Sequence, residues 1–199
     1  MDRREAVDVS ALPTYGFGAR SPIWWGTLGF IVLEGMGFAL AVGAYLYLAW
    51  LNPQWPLDQP PDLLWSTSLL VLLFLSIVPN VWLDKFARKE DLAKVRAGLL
   101  ILSAVGLLAC GIRAYELTTL NTRWDTNAYG SVQWMLLGLH TAHLLTDVGD
   151  TLVLTALMFT RHGKGKRFSD VSDNCFYWYF VVGSWAPIYA LIYWGARLP

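Results

Sequence analysis

Apolar residues in this chain fall into five long runs, separated by short polar or proline-rich stretches. Each run exceeds the roughly 18 residues that mark a membrane-spanning helix. They cover about Ile23–Trp50, Leu63–Trp82, Val95–Leu120, Gly130–Thr160 and Cys175–Trp194. A single segment can satisfy its own backbone groups in lipid as a helix. The pattern therefore predicts an all-α integral membrane bundle of five transmembrane helices over residues 23–199, preceded by a polar tail over residues 1–22. Ser21-Pro22 is a natural entry to the first span, because proline suits the first helical turn. Pro53, Pro56, Pro60 and Pro61 make the first loop short and stiff. Pro79 and Pro187 should perturb the second and fifth spans, with Ser184 or Trp185 placed to compensate the carbonyl that Pro187 frees.

Composition agrees with a membrane domain: 55% of the 199 residues are hydrophobic, and there are 11 tryptophans, most near span ends where their rings suit the interface. A formal net charge of zero argues against a nucleic-acid partner. The charges are sided. Arg3, Arg4 and Arg20 of the tail, Lys85, Arg88, Lys89, Lys94 and Arg96 of the second loop, and Arg161, Lys164, Lys166 and Arg167 of the fourth loop share one side. The other side has only Arg123 and Arg197. This bias predicts a cytoplasmic N-terminus and a C-terminus outside. The tail is too polar for a cleavable signal peptide. Lys85, Arg88, Lys94, Arg96 and Arg161 are candidates for lipid headgroup contacts. Cys110 and Cys175 lie at different depths and are expected to stay unpaired.

Polar residues inside the runs carry the functional question, since lipid cannot solvate them. Glu34 is in the middle of the first run, beside Gly35, Ala39 and Gly43, small residues spaced for close helix approach. Arg113 and Glu116 are three apart and lie near the outer headgroups by helix rise, which suggests an interfacial ion pair. His140, His143, Asp147 and Asp150 share one face of the fourth span, the two acids toward its inner end. Counting helix rise from opposite sides places Glu34 and His140 both near the bilayer midplane, and predicts one buried polar cluster of Glu34, His140 and His143. Three readings compete for it. A metal site would add Glu116, but the chain has three histidines in all, including His162 in a loop, and no E-x-x-H pattern. A proton relay would exploit a carboxyl beside imidazoles. A structural network between helices would tie them together and help to seat a lipid. No serine or cysteine stands with a histidine at a spacing that suggests nucleophilic catalysis, so no catalytic residue is assigned.

The residues resemble subunit III of the heme–copper terminal oxidases, the cytochrome c oxidase subunit 3 family. W-W-G-T-L-G-F-I-V-L-E-G-M-G-F-A with Glu34, R-A-Y-E with Tyr115-Glu116, N-A-Y-G-S-V-Q-W with Tyr129-Gly130-Ser131, G-L-H-T-A-H with His140 and His143, and Y-W-Y-F-V-V with Trp178 and Phe180 occur in the family's order across residues 21–194. The resemblance implies a short bacterial form with five helices in place of seven. Glu34 takes the place of the family's mid-membrane, carbodiimide-reactive glutamate, and His140 and His143 that of its histidine pair. It further implies a non-redox subunit without heme, copper or other metal, which binds phospholipid, packs on subunit I alongside subunit II, and supports proton uptake. The complex would be a proton-translocating cytochrome c oxidase in the bacterial plasma membrane, with heme and copper in the partner subunits. H-T-A-H replaces the usual H-G-L-H, Val182 or Gly183 stands where relatives carry Asp, and Ala186-Pro187 interrupts a bulky run. An associated subunit of a quinol oxidase or nitric oxide reductase, or a stand-alone proton-coupled or metal-dependent membrane protein, remains an alternative.

Overall fold

The computed structural model describes residues 15–161 and 163–197. Arg3, Arg4 and His162 therefore lie outside the described residues. Five long helices carry the fold: α1 (Pro22–Leu51), α2 (Leu63–Ala87), α3 (Leu92–Thr118), α4 (Ala128–Met158) and α5 (Lys166–Tyr189). A π-helical segment, Ala190–Trp194, and a 3-10 turn, Gly195–Arg197, continue α5. α2, α3, α4 and α5 pack in a ring, each against its neighbours, and α1 lies outside it against α4 and α5. No strand occurs among the described residues.

Among the described residues, four helices are long and apolar enough to cross a membrane: α1, α2, α3 and the continuous Lys166–Arg197 helix. The 31-residue α4 is long enough but falls short in apolarity. Its polar residues include Gln133, His140, His143 and Asp147, which are buried, and Asp150, which is exposed. The sequence pattern counted α4 with the other spans; the structure distinguishes it as the helix whose polar residues are mostly covered by protein. The protein is a multi-pass, all-helical membrane bundle.

Local chemistry explains the ends. Asn127 caps α4 by accepting from the Gly130 amide at 2.8 Å, and Asp91 caps α3 by accepting from the Lys94 amide at 3.2 Å. The expected second loop shrinks to a few residues, because α2 runs on to Ala87 and α3 begins at Leu92. α5 begins at Lys166, well before the apolar run that starts at Cys175. Its polar first turn is supported by the Arg167–Asp170 pair at 2.8 Å. Just before Pro187, Ser184 Oγ donates to the Val181 carbonyl and Trp185 Nε1 has no partner among the described residues, so neither compensates the Gly183 carbonyl.

The helices meet closely where glycine permits. A Cβ on Gly106 would sit 2.7 Å from Val148 Cγ2, so α3 and α4 touch there with no room for a side chain. The small residues of α1 behave differently. Ala39 and Gly43 are exposed, and a Cβ on Gly35 would lie 3.9 Å from the Phe180 ring, an ordinary contact. α1 instead uses the stripe Phe38, Ala41 and Tyr45 to meet the bundle. The close seam predicted beside Glu34 is thus not formed within this chain. At one end, Asp58 in the first loop accepts from Thr122 at 3.2 Å and Asn127 at 2.6 Å, and Arg197 donates to the Pro61 carbonyl at 2.6 Å. At the other end, Tyr15 donates to Glu90 at 2.7 Å and Ser169 to the Gly16 carbonyl at 2.6 Å, which fastens the chain before α1 to the ends of α2 and α5.

Candidate functional site

α1, α4 and α5 bring Glu34, His143 and Tyr177 together. Glu34 Oε1 lies 3.1 Å from His143 Nε2, and the Tyr177 hydroxyl donates to Glu34 Oε2 at 2.5 Å. His143 Nδ1 lies 2.6 Å from the Leu139 carbonyl, which can only accept, so Nδ1 carries a proton. One further proton then lies between Nε2 and Oε1. Whether it sits on the imidazole or on the carboxyl, the pair is neutral overall, as burial favours. The Phe38 and Phe180 rings pack against the imidazole, with centroids 4.9 and 6.0 Å away.

His140 does not join this group. It lies one helical turn before His143 and turns toward α3 and α5. Arg113 Nη2 donates to its Nδ1 at 3.1 Å, and its Nε2 donates to the Val181 carbonyl at 3.0 Å. Arginine has only donors, so Nδ1 is unprotonated and the ring is the neutral Nε2–H tautomer. The predicted cluster is therefore divided. The cause is Arg113, a cation at a similar level that competes for the imidazole.

Arg113 and Glu116 form the expected ion pair, at 2.9 Å, and protein covers it: the two residues are 1% and 2% exposed. The Tyr193 hydroxyl donates to Glu116 Oε1, and the Arg113 guanidinium lies 3.9 Å from the Trp185 ring centre. The sequence placed this pair at the outer edge by helix rise alone. The continuation of α5 through Tyr193 covers it, so the pair is internal. Tyr177 and Trp185 on α5 and Tyr193 on its π-helical continuation are the members that sequence reasoning did not assign to these groups. Their spacing turns each by roughly 80° from the last, so no common face marks them and the spacing says nothing of which polar group each one meets.

Asp147 is buried and Asp150 exposed, both on the wall of a cleft between α1, α4 and α5. The basic candidates at the end nearest α5's start sort by partner. Arg88 pairs with Asp84 at 2.9 Å, and Lys94 pairs with Asp91 at 3.0 Å. Arg96 donates to the Met158 carbonyl at 2.8 Å and stacks over Phe159. Lys85 and Arg161 are exposed. The Lys94 ammonium and amide hold the Asp91 carboxyl below the usual aspartate range. Among the described residues, no three His, Cys, Asp or Glu side chains converge as a metal site.

No family model matches the chain. Individual relatives do. Cytochrome c oxidase subunit 3 of the cyanobacterium Synechocystis is 27% identical over 175 residues, covering 85% of this chain and 74% of that protein. Its namesake in Drosophila yakuba is 25% identical over 183 residues, covering 85% and 68%. The Oryctolagus cuniculus protein of the same name is 26% identical over 146 residues, covering 72% and 53%. The chain is a homologue of cytochrome c oxidase subunit 3. Its five-helix bundle carries both histidines of the G-L-H-T-A-H motif on α4.

Proposed function

We propose that the chain is the non-redox subunit III of a bacterial heme–copper oxidase, a complex that reduces O₂ to water with electrons from cytochrome c and moves protons. In this reading it stabilises subunit I, seats phospholipid against its helices and supports proton uptake in its neighbour. The N-terminus faces the cytoplasm and the C-terminus the periplasm of the plasma membrane, on the strength of the basic bias.

The observation that carries the non-redox assignment is the use of the imidazoles. All four ring nitrogens of His140 and His143 have protein partners: Arg113, the Val181 carbonyl, Glu34 and the Leu139 carbonyl. None has a lone pair free for heme or copper. The same bonds support a structural role, since His140 links α3, α4 and α5 while Glu34, His143 and Tyr177 link α1, α4 and α5. The fixed neutral tautomer of His140 also separates the Glu34–His143 proton from the polar groups beyond Arg113. A proton relay running through this chain alone is disfavoured for that reason.

The test is the complex purified from native membranes carrying His140→Ala or His143→Ala. Heme optical spectra and metal content per heme-bearing subunit stay unchanged. Deletion of the chain leaves the hemes in place but shortens the catalytic lifetime. Loss of heme or copper from either histidine variant refutes the reading.

A further inference from the structure

A partly open cleft of about 1000 Å³ lies between α1, α4 and α5 and runs from the basic end of the bundle up to Glu34. Part of the lining is apolar and includes Phe30, Val153 and Leu157; the polar part holds five carboxyl side chains and one cation, Arg167. Two of the five have partners within the chain: Glu34 with His143 and Tyr177, and Asp170 with Arg167. Among the described residues, Asp147, Asp150 and Asp173 have none. Asp147 is 1% exposed, with Oδ2 buried and unpartnered. Asp173 is 5% exposed, with both oxygens buried and unpartnered. Arg88, a cation whose charge reaches Asp173, is held by Asp84 at 2.9 Å.

Buried carboxylates without a cation are costly, most of all where lipid replaces water. Asp147 lies 11 residues before the end of α4, or about 16 Å along its axis, and Asp173 about 10 Å beyond the start of α5. Since α4 is longer than a bilayer core of roughly 30 Å, Asp147 sits below the level of the headgroups. A lipid ammonium stays at the headgroup level. A lysine or arginine on a helix can have its Cα deep and extend its charge along the cleft, and helix ends on this side of a membrane are rich in such residues. A metal ion would need converging ligands that the described residues do not supply. The flank of α1 beside the cleft is apolar and open, with Phe30 and Leu33 exposed.

We propose that this cleft is the docking site for a membrane helix of a partner subunit, which inserts a lysine or arginine between Asp147 and Asp173 and rests its apolar side chains on Phe30, Val153 and Leu157. The proposal rests on the chain being part of an oxidase complex, and the experiment separates the two. A photo-crosslinking amino acid is placed at Val153 in the chain within the complex, purified from native membranes. The linked peptide is then sequenced by mass spectrometry.

The expected product is a membrane segment of another subunit with a lysine or arginine near its basic-side end. Asp147→Asn with Asp173→Asn lowers the yield by about tenfold or more, as loss of the ion pair requires. Crosslinks to lipid only, to this chain only, or to a helix without a basic residue overturn the proposal while leaving the complex intact. So does a yield unchanged by the asparagine substitutions. Purification of the chain without any heme-bearing subunit instead defeats the reading beneath it. Should the asparagine variant fail to assemble, the identity of the peptide linked to the unsubstituted aspartates still decides.

Discussion

Replacing Glu116 with glutamine tests the buried ion pair most directly. Glutamine keeps an acceptor for the Tyr193 hydroxyl and nearly the same volume but removes the negative charge. Arg113 is then a fully buried cation left with His140 Nδ1 and the Trp185 ring, and its Nε already lacks a partner. Removing one member of a buried pair costs about 3–5 kcal/mol, because the remaining charge is uncompensated. At about 1.4 kcal/mol per tenfold, a loss near 4 kcal/mol lowers the folded-to-unfolded ratio by roughly a thousandfold. Arg113→Met strands the Glu116 carboxylate and costs a similar amount. The double variant Arg113→Met with Glu116→Gln leaves no charge and costs less than either single change, since replacing a whole buried pair by uncharged groups is often close to neutral. The assay is a double-mutant cycle in mixed micelles, with sodium dodecyl sulfate as denaturant and tryptophan fluorescence as readout. Single costs below about 1 kcal/mol, or a double cost equal to the two singles added, would refute the burial argument.

Further outcomes follow from other contacts. Gly106→Ala places a methyl 2.7 Å from Val148 and destabilises by about 1–3 kcal/mol in the same titration, whereas Gly111→Ala, which meets nothing within 4 Å, is neutral or slightly stabilising. Gly130→Ala puts its Cβ 2.2 Å from the Arg123 carbonyl, so the turn before α4 must move; hydrogen exchange at residues 123–130 speeds up while that of α2 does not. The Asp91 carboxyl is held below its ordinary value by its bonds to Lys94, so its capping contribution is full above the ordinary aspartate value and is lost as pH falls through the lowered one. Amide exchange in the first turn of α3, corrected for intrinsic rate, should rise over that acid window, and Asp91→Asn should abolish the pH dependence. Tyr177→Phe removes a donor from Glu34, and carbodiimide labelling of Glu34 is expected to quicken; an unchanged rate would count against that hydrogen bond.

The sequence by itself determined the helical membrane class and the stretches that form helices, because a backbone in lipid has few ways to satisfy its own hydrogen bonds. It also singled out Glu34, Arg113, Glu116, His140, His143 and Asp147, since polar groups inside apolar runs stand out against their neighbours. Pairing was decided only by the tertiary structure. Helix rise gives depth but not azimuth, so Glu34 could be set level with His140 yet not seen to face His143 instead. Helix rise likewise placed Arg113 and Glu116 at an edge, and only the packing of α5, with Trp185 and Tyr193, turned that edge into an interior. The small residues of α1 show the same limit. Their spacing signals a surface another helix can approach, but the rotation of α1 about its own axis, set by Phe38, Ala41 and Tyr45, decides which way that surface points.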